Sequence, residues 1–336
     1  MSGPRHVDRL DLEELPSGQP VRLWLEVVHD AMGMPLEVPV IVVRGPKSGP
    51  VFGVTAAVHG NELNGLPVIH RLVERIDASK LRGTLVMAAP VNVPGFHRNA
   101  RRFVDQRDLN TMFPGRPDGH ASHVFAHRLL DRLVRHFDYL VDLHTASFGR
   151  ENSLYVRADM RDPPTAELAK LARPQIILHN PPSDRTLRGA AAELDIPAIT
   201  VEIGDPQVLQ PKYIKPTLTG IRSMLAEVDM LPKRAVAPGP PPTLCKASRW
   251  IYTDHGGLLS VMPQVNEFVA EGDLLARQRD VFGDVVREYH APYSGVVIGR
   301  STNPVGQTGA RIVHLGRVTD VLPPPPSEVP PETAED

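Results

Sequence analysis

Three apolar runs in this 336-residue chain end in side chains suited to acid–base or metal chemistry. "VTAAVHGNE" delivers His59 and Glu62, "YLVDLHTA" delivers His144, and "AITVEIGD" delivers Glu202. Two imidazoles and a carboxylate form a ligand set for a divalent ion such as zinc. In hydrolytic sites zinc takes three protein ligands and keeps one position for water. A further carboxylate nearby would then serve as general base. Asp142 precedes His144 by two residues and so shares its face of the strand. A carboxylate there can accept the free N–H of a ligand histidine, fixing its orientation and raising its basicity; the expected partner is His59. By residue type alone the pattern stays open. A His and a Glu at a helix start are also what a solvated terminus offers to the helix dipole, and a strand-end Asp can simply bond a backbone amide.

These groups lie far apart in the chain, so the fold must gather them. Residues 20–45 read as two strands with a turn around Met32 to Pro35. "PVFGVTAAV" reads as a buried strand, and "ELNGLPVIHRLVERI" places Leu63, Leu66, Ile69, Leu72 and Ile76 at helical spacing. "TLVMAAPV" is a strand, "SHVFAHRLLDRLVRHF" an amphipathic helix, "PQIILHN" a strand and "LRGAAAELD" a short helix. The alternation predicts an α/β architecture, a parallel or mixed sheet between helices. Ligands in such sheets collect beyond the carboxyl ends of the strands, where all three runs end.

A proline-rich stretch, "LPKRAVAPGPPPT", separates this region from a series of short strands and turns. The expected division is a catalytic domain at 1–232, a linker at 233–243, a small β module at 244–320 and an unpacked proline-rich tail at 321–336. The chain has one cysteine, which excludes an intrachain disulfide framework and suits a reducing, cytoplasmic setting. Its 37 basic and 39 acidic side chains nearly balance, which argues against nucleic acid or an anionic membrane as partner. The first residues carry charges where a signal peptide needs an apolar core, so export by that route is not expected.

"VHGNELNG", "RRFVDQRDLNTMFPG", "DLHTA" and "VEIGD", in that order, resemble the succinylglutamate desuccinylase/aspartoacylase family. The resemblance implies a zinc-dependent deacylase with a carboxypeptidase-like fold and one zinc ion per chain. It makes His59, Glu62 and His144 the metal ligands and Glu202 the general base and acid. It makes Arg102 the residue that polarises the scissile carbonyl, with Arg101 as the fallback. Asn110 would help hold a substrate carboxylate. The family's "DLNR" reads "DLNT" here, and Thr111 cannot supply the bidentate, always-charged fork of a guanidinium. Arg188 stands about where relatives carry another carboxylate-binding arginine; a helix-start arginine facing solvent is the other reading.

On this basis a metal-activated water attacks an amide of a small N-acylated amino acid or amine. Two alternatives stay open, a carboxypeptidase-like peptidase and a non-catalytic binding protein on the same fold; a homo-oligomer is compatible with each. His120, His123 and His127 share the polar side of a helix and read as a solvated face rather than a second metal site. The C-terminal module resembles the barrel-sandwich of biotinyl and lipoyl domains, but no lysine follows Lys246, so no prosthetic group can be attached there. It is expected to shape the mouth of the site, with Tyr293 as a candidate substrate contact.

Overall fold

The computed structural model describes residues 3–182, 185–233 and 239–321. Strands β1 (Arg5–Val7), β2 (Pro20–His29) and β3 (Pro35–Arg44) open the chain. β2 and β3 form an antiparallel hairpin closed by the Asp30 N–H to Met34 carbonyl bond of 2.8 Å. They alternate, burying Leu23, Leu25 and Val27 on one strand and Val38, Val40 and Val42 on the other. That period of two marks strands with one covered face.

The next strands are different. β4 (Lys47–Ala56), β5 (Arg82–Ala88) and β6 (Tyr139–His144) are buried almost throughout their apolar runs, as strands covered on both faces must be. The helices that cover them are α1 (Gly65–Arg75), the short α2 (Val93–His97) and α3 (Ala121–Arg132). Further along come β7 (Arg150–Asn152), β8 (Leu154–Ala158), α4 (Pro163–Leu171), β9 (Ile176–His179), α5 (Leu187–Ala192), β10 (Ala198–Ile203) and α6 (Pro211–Glu227). Helices α1, α4 and α6 pack on one face through Val68, Ile69, Leu72, Leu168, Leu218 and Ile221. Helices α3 and α5 cover the other face through Phe125, Leu129 and Leu187. Truncating one such fully enclosed side chain, Leu72→Ala for example, costs about 2–5 kcal/mol through lost burial and the cavity left behind.

The β module comprises β11 (Thr243–Tyr252), β12 (Gly257–Val261), β13 (Phe268–Val269), β14 (Leu274–Arg279), β15 (Val285–His290), β16 (Gly295–Ser301), β17 (Val305–Gly306) and β18 (Arg311–Val318). Strands β15, β14, β12 and β17 form a small antiparallel sheet of their own. The others continue the main sheet, whose order is β1-β2-β3-β5-β4-β6-β10-β8-β9-β11-β18-β16-β13, with β7 pairing β16. The expected α/β sheet with a small C-terminal β unit is therefore present, and the two parts share backbone hydrogen bonds. β11 adds parallel to β9 from Thr243 onward, within the stretch read as a linker; residues 234–238 of that stretch, and the tail from 322, lie outside the described residues. No helix among the described residues is long and apolar enough to cross a membrane.

β4, β6 and β10 run parallel and adjacent, so their carboxyl ends share one edge of the sheet. β8 runs antiparallel to β10 and brings its amino-terminal end to the same edge. This edge carries the candidate site.

Candidate active site

β4 ends at Ala56. Ala57 turns the chain with a left-handed φ of 55°, and its carbonyl accepts the Asn92 N–H at 2.9 Å. Gly60 follows because the backbone of α2 lies against it: a Cβ there would stand 2.0 Å from the Gly95 carbonyl carbon. Glu62 sits in the turn before α1, not on the helix as the apolar spacing predicts, and its carboxylate faces back over the strand ends. Asn64 locks the turn in place, donating to the Ile203 carbonyl at 2.8 Å and accepting the Gln210 N–H at 2.9 Å.

The result is a buried three-residue group. His59 Nδ1 lies 2.9 Å from Glu62 Oε1, His144 Nδ1 lies 3.0 Å from Glu62 Oε2, and the two imidazole Nδ1 atoms are 3.2 Å apart. Two nitrogens at zinc-ligand distance in tetrahedral geometry stand roughly 3.3 Å apart, so the spacing fits a shared ion. Both far-side nitrogens meet carboxylates. His144 Nε2 lies 2.7 Å from Asp142 Oδ2, and His59 Nε2 lies 2.9 Å from Asp108 Oδ1. A carboxylate only accepts, so each Nε2 carries the proton and each Nδ1 lone pair is turned toward the ion. Among the described residues this is the one group of three or more His, Cys, Asp or Glu side chains placed to hold a metal.

The electrostatics agree. Burial opposes the charge on Glu62, but His59, His144 and Arg101 outweigh it and hold the carboxyl below its usual range. Burial also opposes the charge on Asp108, and His59 and Arg101 again hold it low. His144 moves the other way. Burial disfavours its cation, yet Asp142 and Glu62 raise its pKa well above the ordinary value, so a metal must displace a proton to bind there.

Two sequence-based assignments change here. Asp142 pairs with His144, its neighbour two residues along the same strand, rather than with His59. Its other oxygen accepts the Thr55 hydroxyl at 2.6 Å. Arg102 is exposed and donates to the Gln106 carbonyl, away from the site. Arg101 takes the place expected of Arg102: it donates to Glu62 Oε1 at 2.7 Å, to the Ser147 hydroxyl at 2.7 Å and through two nitrogens to Asp108 Oδ2. The "DLN" motif thus works first through its aspartate, which orients His59 and Arg101 together and caps the turn at Asn110 N.

Beside these groups lies a cavity of about 250 Å³. Glu202 lines it from β10, directly beside His144 on β6 and Tyr155 on β8. Asn152 Nδ2 donates to Glu202 Oε2 at 3.3 Å, and Arg157 Nε stands 3.7 Å from Oε1. Burial raises the Glu202 pKa against the pull of Arg157 and His144, which brings a carboxylate toward the range where it can exchange protons near neutrality. Asn110 and Arg188 also line the cavity. The Oδ1 of Asn110 accepts the Leu187 N–H at 2.9 Å, and Arg188 is buried and donates to the Asn180 carbonyl, which removes the solvent-facing reading. Thr111 lines the wall with its hydroxyl donated to the Asp108 carbonyl.

Several lining residues escape the sequence reading: Arg150, Asn152, Tyr155, Arg157, Trp250 and Arg311. "LYVRA" carries a signal, since Tyr155 and Arg157 alternate onto one face of β8. The C-terminal module reaches the mouth through Trp250 and Arg311, not through Tyr293. That hydroxyl donates to the Leu315 carbonyl, and its ring lies under Arg317. His120 is exposed, and His123 and His127 are half-buried on α3, apart from the metal group.

The fold and the site define an α/β protein with a buried His–Glu–His group beside a carboxylate at the carboxyl edge of its sheet. The succinylglutamate desuccinylase/aspartoacylase catalytic domain matches residues 48–228, and the chain belongs to that family. It is similar to an N-alpha-acetyl-L-2,4-diaminobutyric acid deacetylase of Halomonas elongata, 25% identical over 314 residues, covering 85% of this chain and 87% of that one. A succinylglutamate desuccinylase of Pseudomonas paraeruginosa is 32% identical over 165 residues, 45% of this chain and 49% of the other. Among solved structures, the product-bound ectoine utilization protein EutE (DoeB) of Ruegeria pomeroyi superposes with a TM-score of 0.80 at 23% identity, covering 90% of this chain and 98% of that one. A succinylglutamate desuccinylase/aspartoacylase of Rhodobacter sphaeroides gives 0.81 at 21% identity, covering 94% and 99%.

Proposed function

We propose that the chain is a zinc-dependent amide hydrolase that removes the acyl group from a small N-acylated amino acid. The observation that carries this reading is the convergence of His59, Glu62 and His144, with donor atoms within 4.8 Å of one another, in a cavity that Glu202 also lines. Deacylation is the activity named for the deacetylase and the desuccinylase to which the chain is similar.

Zinc held by these three side chains would lower the pKa of a bound water to about 7 and draw electron density from the amide carbonyl. Glu202 takes the proton from the attacking water and returns it to the departing nitrogen, a role that suits its raised pKa. Arg101 presents a fixed positive charge at the cavity wall for the oxyanion that develops on the carbonyl oxygen. Asp108 and Asp142 hold the two imidazoles in the ligating tautomer. Asn110 and Arg188 supply polar contacts to the body of the substrate. A cavity of about 250 Å³ favours a small acylated amino acid over a peptide.

Assaying a panel of N-acyl amino acids with zinc and with a chelator tests the reading. Glu202→Gln should keep stoichiometric zinc by metal analysis while kcat falls by about 10²–10⁴. Wild-type turnover that survives complete metal removal, or full activity in the variant, would overturn it.

A further inference from the structure

Five arginines line the cavity, and they divide into two kinds. Arg101 is held by Glu62 and Asp108, Arg157 stands beside Glu202 and donates to the Tyr155 hydroxyl, and Arg188 is tied to the Asn180 carbonyl. Arg150 and Arg311 have no ion pair with a carboxylate among the described residues. Both guanidiniums lie over the Trp250 ring, at 5.6 Å and 5.1 Å from its centre. The indole is itself fixed, stacked on His314 at 4.9 Å with 8° between the planes.

This arrangement is built from both parts of the chain. β7 starts at Arg150 and pairs with β16 of the C-terminal module, Arg150 opposite Ser301 and Asn152 opposite Gly299. Trp250 comes from β11 and Arg311 from β18, which pair with each other. Two cations set against one aromatic ring repel. Burial and the charges of Arg311 and Arg101 push the Arg150 pKa down to about 10. Such repulsion is relieved when a single anion bridges the pair, and a guanidinium fork is shaped for a carboxylate.

We propose that Arg150 and Arg311, supported by Trp250, form the subsite that accepts the carboxylate of the N-acylated amino acid. This rests on the deacylase reading above and specifies its substrate: an acid, not a neutral acylated amine. It also supplies from the C-terminal module an anion-binding charge that Thr111 cannot offer. The pair Arg150 and Arg311 is then specificity-determining, while the metal group and Glu202 perform the reaction.

The test compares acid and amide partners of the same compound, such as N-acetyl-L-alanine with N-acetyl-L-alaninamide, across small side chains. Wild type should prefer the acids, and Arg150→Gln or Arg311→Gln should lower kcat/KM for the acids by roughly 10- to 100-fold, the loss of a charge-assisted hydrogen bond. The amides should change by less than about threefold. Binding is read separately by titration calorimetry. It is also read from Trp250 emission in a Trp24→Phe background, since these are the two tryptophans of the chain. Equal binding of acids and amides by wild type, or an acid preference that survives both substitutions in folded protein, overturns the subsite. Acid-selective binding lost in the variants, with no hydrolysis of any compound, would keep the subsite and sink the deacylase reading.

Discussion

His144 and His314 are both 3% exposed, yet their surroundings drive them toward opposite charge states. His144 stands among Asp142, Glu62 and His59, where acidic partners outweigh burial and favour its cation. His314 donates to or accepts from the Ser248 hydroxyl at 2.7 Å, and burial together with Arg157, Arg311 and Arg150 pushes its pKa well below the ordinary value. One end of the cavity is therefore rich in carboxylates and the other in guanidiniums. The first end is closed upon itself: each imidazole has its carboxylate, Asp142 has Thr55 and Asp108 has Arg101. The second end holds Arg150 and Arg311, which have no ion pair with a carboxylate among the described residues. On the function proposed above, a cavity polarised in this way would place the reacting carbonyl at a metal held by His59, Glu62 and His144 and the anionic tail at the arginines.

The comparison breaks first at the carboxylates behind the histidines. Asp142→Asn and Asp108→Asn keep an oxygen that can accept the Nε2 proton but remove its charge. Each should weaken metal binding by about 10- to 100-fold, read by competition with a chelating dye, and lower activity at limiting zinc. Glu202→Gln, which touches neither imidazole, should leave metal affinity within about threefold. Unchanged zinc affinity in both aspartate variants would show that the far-side carboxylates serve the backbone alone, and the contrast between the two ends would lose its basis.

The carboxylate-rich end was more legible in the sequence than the arginine-rich end, for a physical reason. His59, Glu62, His144 and Glu202 each terminate or follow an apolar run, and parallel neighbours must deliver their carboxyl ends to one edge. Local pattern plus the rules of open sheets is enough to place them. Asp142 was legible as a residue on the face of His144 but not as its partner, because ring orientation is set by packing. Arg101 and Arg102 show the limit sharply. They are adjacent in an irregular loop with no periodicity to say which side chain turns inward. Asp108 lay inside a recognisable motif, and its task depends on how that loop folds back onto His59. The arginine-rich end arises from pairing between β7 and β16, which are distant in sequence, and the three residues of β7 are too few to show alternation. Helices α4 and α6 are also hard to read from the sequence; α6 carries Pro216 in its interior, which disguises its period.

The seam between the two ends can be probed through Gly299. A Cβ at that position would lie 2.3 Å from Asn152 Oδ1 and 3.0 Å from the Glu151 carbonyl. Asn152 contacts Glu202, so Gly299→Ala should shift the amide and with it the carboxylate. The expected result is a fall in kcat of about tenfold, since misplacing a catalytic group by a fraction of an ångström is costly, with zinc content unchanged. Wild-type kcat in a variant that folds would show that the C-terminal module borders the site without setting the position of Glu202.

The smallest expected effect follows from His314. Its folded pKa is depressed by burial and then by the three arginines, while the unfolded side chain titrates near 6.5. Above that pH both states are neutral and His314 makes no pH-dependent contribution. As pH falls below it, the unfolded chain takes up a proton that the folded protein does not, so stability declines, by up to about 1.4 kcal/mol per pH unit until the folded pKa is reached. Burial is the larger cause, so high salt, which screens the arginines, should leave most of the slope in place. His314→Gln removes the titration while retaining a side chain that can bond Ser248. Denaturant midpoints measured between pH 7.5 and 5.5 should therefore fall less steeply in the variant than in the wild type. His144 contributes with the opposite sign, its raised pKa favouring the folded metal-free protein in acid, so the comparison is cleanest in the zinc-loaded protein, where that proton has been displaced. Parallel pH profiles for the two loaded proteins would mean that His314 is protonated in place, and the guanidinium-rich end would then be less positive in its effect than the three arginines around it imply.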